Sequence, residues 1–161
     1  MEIERKWLVA HQELPMLERV STLEQFYTEC GDKEVRYRHV MVPAQNGTPE
    51  ESCYYRTEKV GSGMVRQEVE RKVSHDEYEA MYEKAISGTI YKVRGYFQVG
   101  GYEASCDRYI TPRIEEGVVE IEFPDVHSAN NFSMTEYYPM AIEVTNVPEY
   151  KNKNIAKRCP Q

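Results

Sequence analysis

The chain has 161 residues, 29% of them charged, with four cysteines and a formal net charge of −7. That length suits one domain able to bury a core without metal or disulfide staples, and the acidic balance excludes non-specific attraction to nucleic acid or to an anionic membrane. Cys30, Cys53, Cys106 and Cys159 lie far apart, with no CxxC pair and no interleaved histidines. They fit neither a zinc site nor a disulfide framework and read as reduced thiols in a cytoplasm. Met1 runs directly into charged residues, with no apolar stretch for a signal peptide or a membrane span.

In chain order, residues 2–9 read as a strand and 11–19 as a short helix that starts near Pro15. A strand over 22–29 turns at Gly31-Asp32 into a second over 34–41, and 43–52 form a polar loop. Residues 53–60 and 64–73 make a hairpin across Gly61-Ser62-Gly63. Ser74-His75-Asp76-Glu77 has capping-box spacing, and Tyr78, Met81, Tyr82 and Ala85 follow at helical intervals, so a helix is expected to end near Ser87-Gly88. A second hairpin joins 89–98 to 102–110 across Gly100-Gly101, followed by a strand at 118–123 and a helix at 125–132 capped by Asp125. A short strand at 141–145 and a helix over 149–158 close the chain. The class is mainly β (α+β), with roughly eight strands and short turns, which argues an antiparallel sheet.

Strand alternation sorts the charges onto one side. Glu2, Glu4 and Lys6 share a face of the first strand; Arg36 and Arg38, Lys59, Glu68 and Glu70, Lys92 and Arg94, Asp107 with Glu103 in phase, and Glu120 and Glu122 follow on later strands. Their neighbours are mainly apolar: Val35, Tyr37, Val69, Tyr91, Val93, Cys106, Val119, Ile121 and Phe123. Mixed charges on a solvated face are common in antiparallel sheets. Here, however, acid doublets and basic doublets sit on different strands. Two carboxylates call for a divalent cation, and two guanidiniums call for an anion. If the sheet closes with its ionic side inward, the lumen carries basic groups for phosphates and carboxylates for metal, which is what phosphoryl transfer requires. The apolar side then faces out, where helices 74–87 and 125–132 can cover part of it.

The ordered set resembles the CYTH superfamily, the triphosphate tunnel metalloenzymes. It runs from Glu2-x-Glu4-x-Lys6 through Val35-Arg36-Tyr37-Arg38, Lys59 ahead of a glycine turn, Arg66-Gln67-Glu68-Val69-Glu70 and Tyr91-Lys92-Val93-Arg94. It continues with Val119-Glu120-Ile121-Glu122-Phe123, Glu143-Val144-Thr145 and Tyr150-Lys151-Asn152-Lys153. The resemblance implies a single tunnel domain over 1–161, an eight-stranded antiparallel β-barrel with a few flanking helices that hydrolyses a triphosphate with Mg²⁺ or Mn²⁺. Carried over, Lys6, Arg36, Arg38, Lys59, Lys92 and Arg94 would bind phosphate, and Glu2, Glu4, Glu120 and Glu122 would hold metal with Asp107 assisting. Glu4, Lys59 and Lys92 would be the catalytic set, the lysines neutralising charge on the transferred and leaving groups. Lys151 and Lys153 read instead as a solvated helix face.

Three departures bear on substrate preference: Ser105 where relatives carry Glu, the long 43–52 loop, and Ser133–Pro139 in place of an aromatic-rich segment. The expected partner is a small triphosphate, with inorganic tripolyphosphate leading. Adenylyl cyclase and thiamine triphosphatase activities on the same fold are alternatives within the enzyme class. A non-catalytic polyphosphate or nucleotide sensor is the alternative outside it. The protein is expected to be a cytoplasmic monomer or homodimer.

Overall fold

Paired glycines and period-two alternation wind most of the chain into one antiparallel sheet. A computed structural model describes residues 1–61 and 63–161, so Ser62 of the expected glycine turn lies outside the described residues. The strands are β1 (Glu2–Val9), β2 (Glu18–Cys30), β3 (Lys33–Val42), β4 (Glu51–Val60), β5 (Val65–Val73), β6 (Ile90–Val99), β7 (Tyr102–Thr111), β8 (Gly117–Glu122) and β9 (Ile142–Glu143). Helices α1 (His75–Tyr82), α2 (Val126–Asn131) and α3 (Asn152–Lys157) lie between and after them. Strand order is β5-β4-β3-β2-β6-β7-β8-β1-β9, and an added β5–β1 pairing closes the first eight positions into a barrel. The β6–β7 turn needs positive φ at both central residues, and Gly100 and Gly101 supply it at +55° and +81°.

The closure is uneven. β1 pairs with β8 over six registers from Glu4↔Glu122 to Val9↔Gly117, but with β5 only at Glu2↔Arg66 and Ile3↔Val65. On the same edge, further along, β9 takes over at Trp7↔Glu143 and Leu8↔Ile142.

The outward apolar positions are covered as expected. Trp7, Val119, Ile121 and Phe123 pack beneath α2 and the segment after it, joined by Ala129 and Met134. Phe26, Val35 and Tyr37 pack beneath α1 through Tyr78, with Met81 alongside. Ser74 and Asp125 cap their helices by accepting hydrogen bonds from Glu77 N and Ser128 N. A third cluster fills one end inside the barrel: Leu8, Tyr27, Ile90, Tyr109 and Val118, sealed by Ile155, Ala156 and Cys159.

Several boundaries differ from the sequence reading. The helix expected over 11–19 is a single 3-10 turn at His11–Glu13, and β2 begins at Glu18. Leu14 and Leu17 pack onto the outer core instead of along a helix, Leu17 filling space that a Cβ at Gly95 would take. α1 stops at Tyr82 because residues 83–88 turn back onto β2, with Ile86 N donating to Tyr27 O. The closing helix is split by Lys151, which is extended, leaving a 3-10 turn at Pro148–Tyr150 and then α3. The apolar-out arrangement is also incomplete. On the outside of β4 and β5, Arg56 pairs with Glu58 and Arg71 with Glu77, while Val69 is 68% exposed. Among the described residues no helix is long and apolar enough to cross a membrane.

Candidate tunnel site

The inward positions of all eight barrel strands meet around one cavity of about 380 Å³, with Tyr27 from β2 and Glu103 and Ser105 from β7 among its lining. Glu2, Glu4 and Lys6 come from β1, Arg36 and Arg38 from β3, Lys59 from β4, Glu68 and Glu70 from β5, Arg94 from β6, and Glu120 and Glu122 from β8. Among the described residues no histidine lines it; His39 stacks on Tyr54 at 4.3 Å, outside the barrel. Sequence reasoning left several lining residues without a role, namely Tyr27, Glu34, Arg66, Tyr96, Thr145 and Asn152. Arg66 was legible by parity with Glu68 and Glu70. Lys151, expected in solvent, also lines the cavity, because the break before α3 turns it back toward the barrel.

Lys92 and Asp107 are the two expected site residues that do not line the cavity. Both lie beneath it, Lys92 at 0% and Asp107 at 1% exposure. One Asp107 oxygen accepts from Arg94 Nε at 2.6 Å; the other takes Arg94 at 2.8 Å and Lys92 Nζ at 2.8 Å. Against the cost of burial, these cations hold the Asp107 carboxyl far below the ordinary carboxylate range. Burial, and then Arg94 and Arg38, push the Lys92 ammonium well down. The layer continues sideways: Arg38 Nε donates to Gln25 Oε1 at 3.0 Å, and Gln25 donates to Tyr27 at 3.1 Å. Below, Asn152 Oδ1 accepts from Tyr109 and lies 3.5 Å from Lys92 Nζ, which ties α3 to the barrel floor.

Toward the mouth the charges are less well matched. Glu4 and Glu122 are direct register partners on adjacent strands, a like-charge pairing that opposes folding. Burial and then Glu120 push Glu4 up to about 8. Glu120 is held down at about 2: burial opposes this, but Lys6 at 3.3 Å and Arg94 outweigh it. Glu2 is raised by burial and then by Glu68. Lys59 Nζ lies 3.1 Å from Glu2 Oε1 but off the hydrogen-bonding direction, so that buried oxygen has no donor. On the basic side, Arg36 donates to Thr57 Oγ1 at 3.2 Å, yet its Nε is buried without an acceptor, as is that of Arg66. Burial, then Arg36 and Arg94, push Arg38 down to about 9, still charged at neutral pH. Among the described residues no three carboxylates, histidines or cysteines stand close enough to hold a metal as they are.

The fold matches solved structures. Two crystal structures of NE1496, one described as an inorganic triphosphatase, align with TM-scores of 0.64 and 0.61 at 28% and 27% identity, covering 99% and 100% of this chain and 100% and 97% of NE1496. The chain has the CYTH-like tunnel fold. The same fold reaches more distant proteins. HpAC1 from Hippeastrum, provisionally assigned as an adenylyl cyclase and described as having a dominant triphosphatase activity, aligns at a TM-score of 0.55 and 16% identity over 81% of this chain and 83% of its own. PH1012 from Pyrococcus horikoshii aligns at 0.58 and 18%, over 81% and 82%. No family model and no curated protein matches the sequence.

Proposed function

We propose that the protein hydrolyses a triphosphate in this tunnel with the help of a divalent cation, and that inorganic tripolyphosphate is its substrate. The observation that carries this reading is the opposition across one cavity: Glu4 is the register partner of Glu122 and forms no salt bridge among the described residues, while Arg36 keeps a buried Nε without an acceptor. A divalent cation relieves the first and a phosphate oxygen the second. The naming of NE1496 as an inorganic triphosphatase, at 27% identity over the whole chain, supports the choice of substrate.

The carboxylates are the hard oxygen donors such a cation takes, and they would have to draw together to hold it. Glu2 has a buried oxygen with no hydrogen-bond donor and Glu4 is raised by burial and then by Glu120, so Glu2, Glu4, Glu120 and Glu122 would hold it. When bound, the cation supplies Lewis-acid neutralisation of phosphoryl oxygens and orients water. Asp107 is not kept in this set, because Arg94 and Lys92 already occupy both its oxygens. Lys92 accordingly moves from the catalytic and phosphate-binding groups to a supporting role, holding Asp107 and through it Arg94. Lys6, Arg36, Arg38, Lys59 and Arg94, which line the cavity, bind the phosphate chain, and Lys59 and Arg36 neutralise charge gathering on the leaving group. The sealed floor beneath Arg94 excludes water from that end.

Phosphate release from tripolyphosphate, ATP and thiamine triphosphate, each with Mg²⁺, Mn²⁺ or neither, tests the reading. Metal-dependent release from tripolyphosphate above the other two is the expected result. Release from none of the three refutes hydrolysis, and a rise in melting temperature with tripolyphosphate alone would then mark a binding protein.

A further inference from the structure

We infer that Arg66 is a third phosphate-binding rung at the mouth of the tunnel, and that it makes the site count phosphates, favouring three over two. The inference deepens the triphosphatase reading and rests on it. Arg38, Arg36 and Glu34 occupy alternate inward positions of β3 and line the cavity from its deep end toward the mouth. Arg66 crosses from β5 to meet this ladder at its top, one guanidinium nitrogen lying 3.2 Å from Glu34 Oε1. Three guanidiniums thus stand at successive levels, each two strand residues, or roughly 7 Å, above the last.

Their hydrogen bonding differs by level. Arg38 Nε, the deepest, is satisfied by Gln25. Arg36 Nε and Arg66 Nε are both buried with no acceptor. Arg66 lines the cavity and is held to Glu34 by one nitrogen, while its Nε is desolvated with no acceptor, and an unmade buried hydrogen bond is costly. A phosphate oxygen supplies the missing acceptor in the forked geometry guanidinium prefers.

The ladder also fixes what reaches Arg66. Its register partner Glu2 is four residues from Lys6 along β1, about 13 Å. A diphosphate seated between Lys6, Arg94 and Arg38 occupies the deep levels and leaves Arg66 empty, while a third phosphate extends to it. Arg66 therefore adds affinity for triphosphate and none for diphosphate.

Calorimetric titration of the protein in EDTA, so that no turnover occurs, with pyrophosphate and with tripolyphosphate tests this. The wild type is expected to bind tripolyphosphate more tightly. Arg66→Gln should weaken tripolyphosphate by about tenfold or more, the loss of one charge-assisted contact, and leave pyrophosphate unchanged. Arg66→Lys keeps the ion pair with Glu34 and the fold but not the Nε donor, so it should show a smaller loss confined to tripolyphosphate, and it decides the matter if the Gln variant does not fold. Equal weakening of both ligands, or none, overturns the inference while leaving the triphosphatase reading intact. A wild type that binds neither ligand, in EDTA or with Ca²⁺ in its place, overturns both.

Discussion

The tunnel has two halves made by the same alternation of charged and apolar residues, and they end in opposite states. In the floor, Arg94, Lys92 and Asp107 satisfy one another, Arg38 is tied to Gln25, and Asn152 seals the end. Near the mouth, Glu4 faces Glu122, Glu2 keeps an orphaned oxygen, and Arg36 and Arg66 keep orphaned donors. Complete pairing builds structure; incomplete pairing marks where something else must bind. A buried ion pair is a weak source of net stability, but removing one partner from it is severe. The floor should therefore answer mutation with lost stability and the mouth with lost function.

The largest effect expected is at the mouth. Glu4→Gln or Glu122→Gln should lower metal-dependent phosphate release on the order of 100-fold or more, in the range seen when one essential transition-state contact is removed. Thermal unfolding without metal should show no loss of stability, because each change removes a like-charge neighbour. A falling melting temperature would erase the distinction between the halves.

Asp107→Asn should do the reverse and cost about 3–5 kcal/mol at pH 7, read by urea unfolding, since it strands Arg94 and Lys92 without a counter-charge. The pH dependence has a definite sign. A carboxylate held down in the folded state stabilises above its unfolded value, near 3.9, and that contribution is lost as pH falls through the folded value. The gap between wild type and Asp107→Asn should therefore narrow on acidification. A gap that widened would place the origin of the effect elsewhere.

Ile121→Ala, in the outer core beneath α2, should cost about 2–5 kcal/mol with an unchanged KM for tripolyphosphate. Smallest of all, Val69→Lys on the uncovered outside of β5 should shift stability by no more than about 0.5 kcal/mol.

The faces of the strands were legible in the sequence; the heights were not. Period two places Lys92 with Arg94 and Asp107 with Glu103 on the inward side, and the structure agrees. It does not say that Lys92 and Asp107 sit below the cavity while Arg94 reaches it, because depth is set by how far the barrel fills with Leu8, Ile90, Tyr109 and α3. The Glu4↔Glu122 opposition has the same character: each doublet was visible, but their register depends on β1 meeting a strand from the far end of the chain. Where local signals were strong, as at the Ser74 and Asp125 caps, the elements appear as read. Residues 14–17 were misread because apolar spacing alone does not separate a short helix from a loop that packs its leucines onto an outer core.

The pairing of the first strand with the eighth has a consequence for how this protein comes into being. During synthesis β1, which carries half the carboxylate cluster, emerges well ahead of β8, its ladder partner. The tunnel cannot close until β8 has been made, and long-range closure of that kind is slow. Until then the acidic doublet travels without its barrel, so the charged cavity forms in one late step instead of growing with the nascent polypeptide.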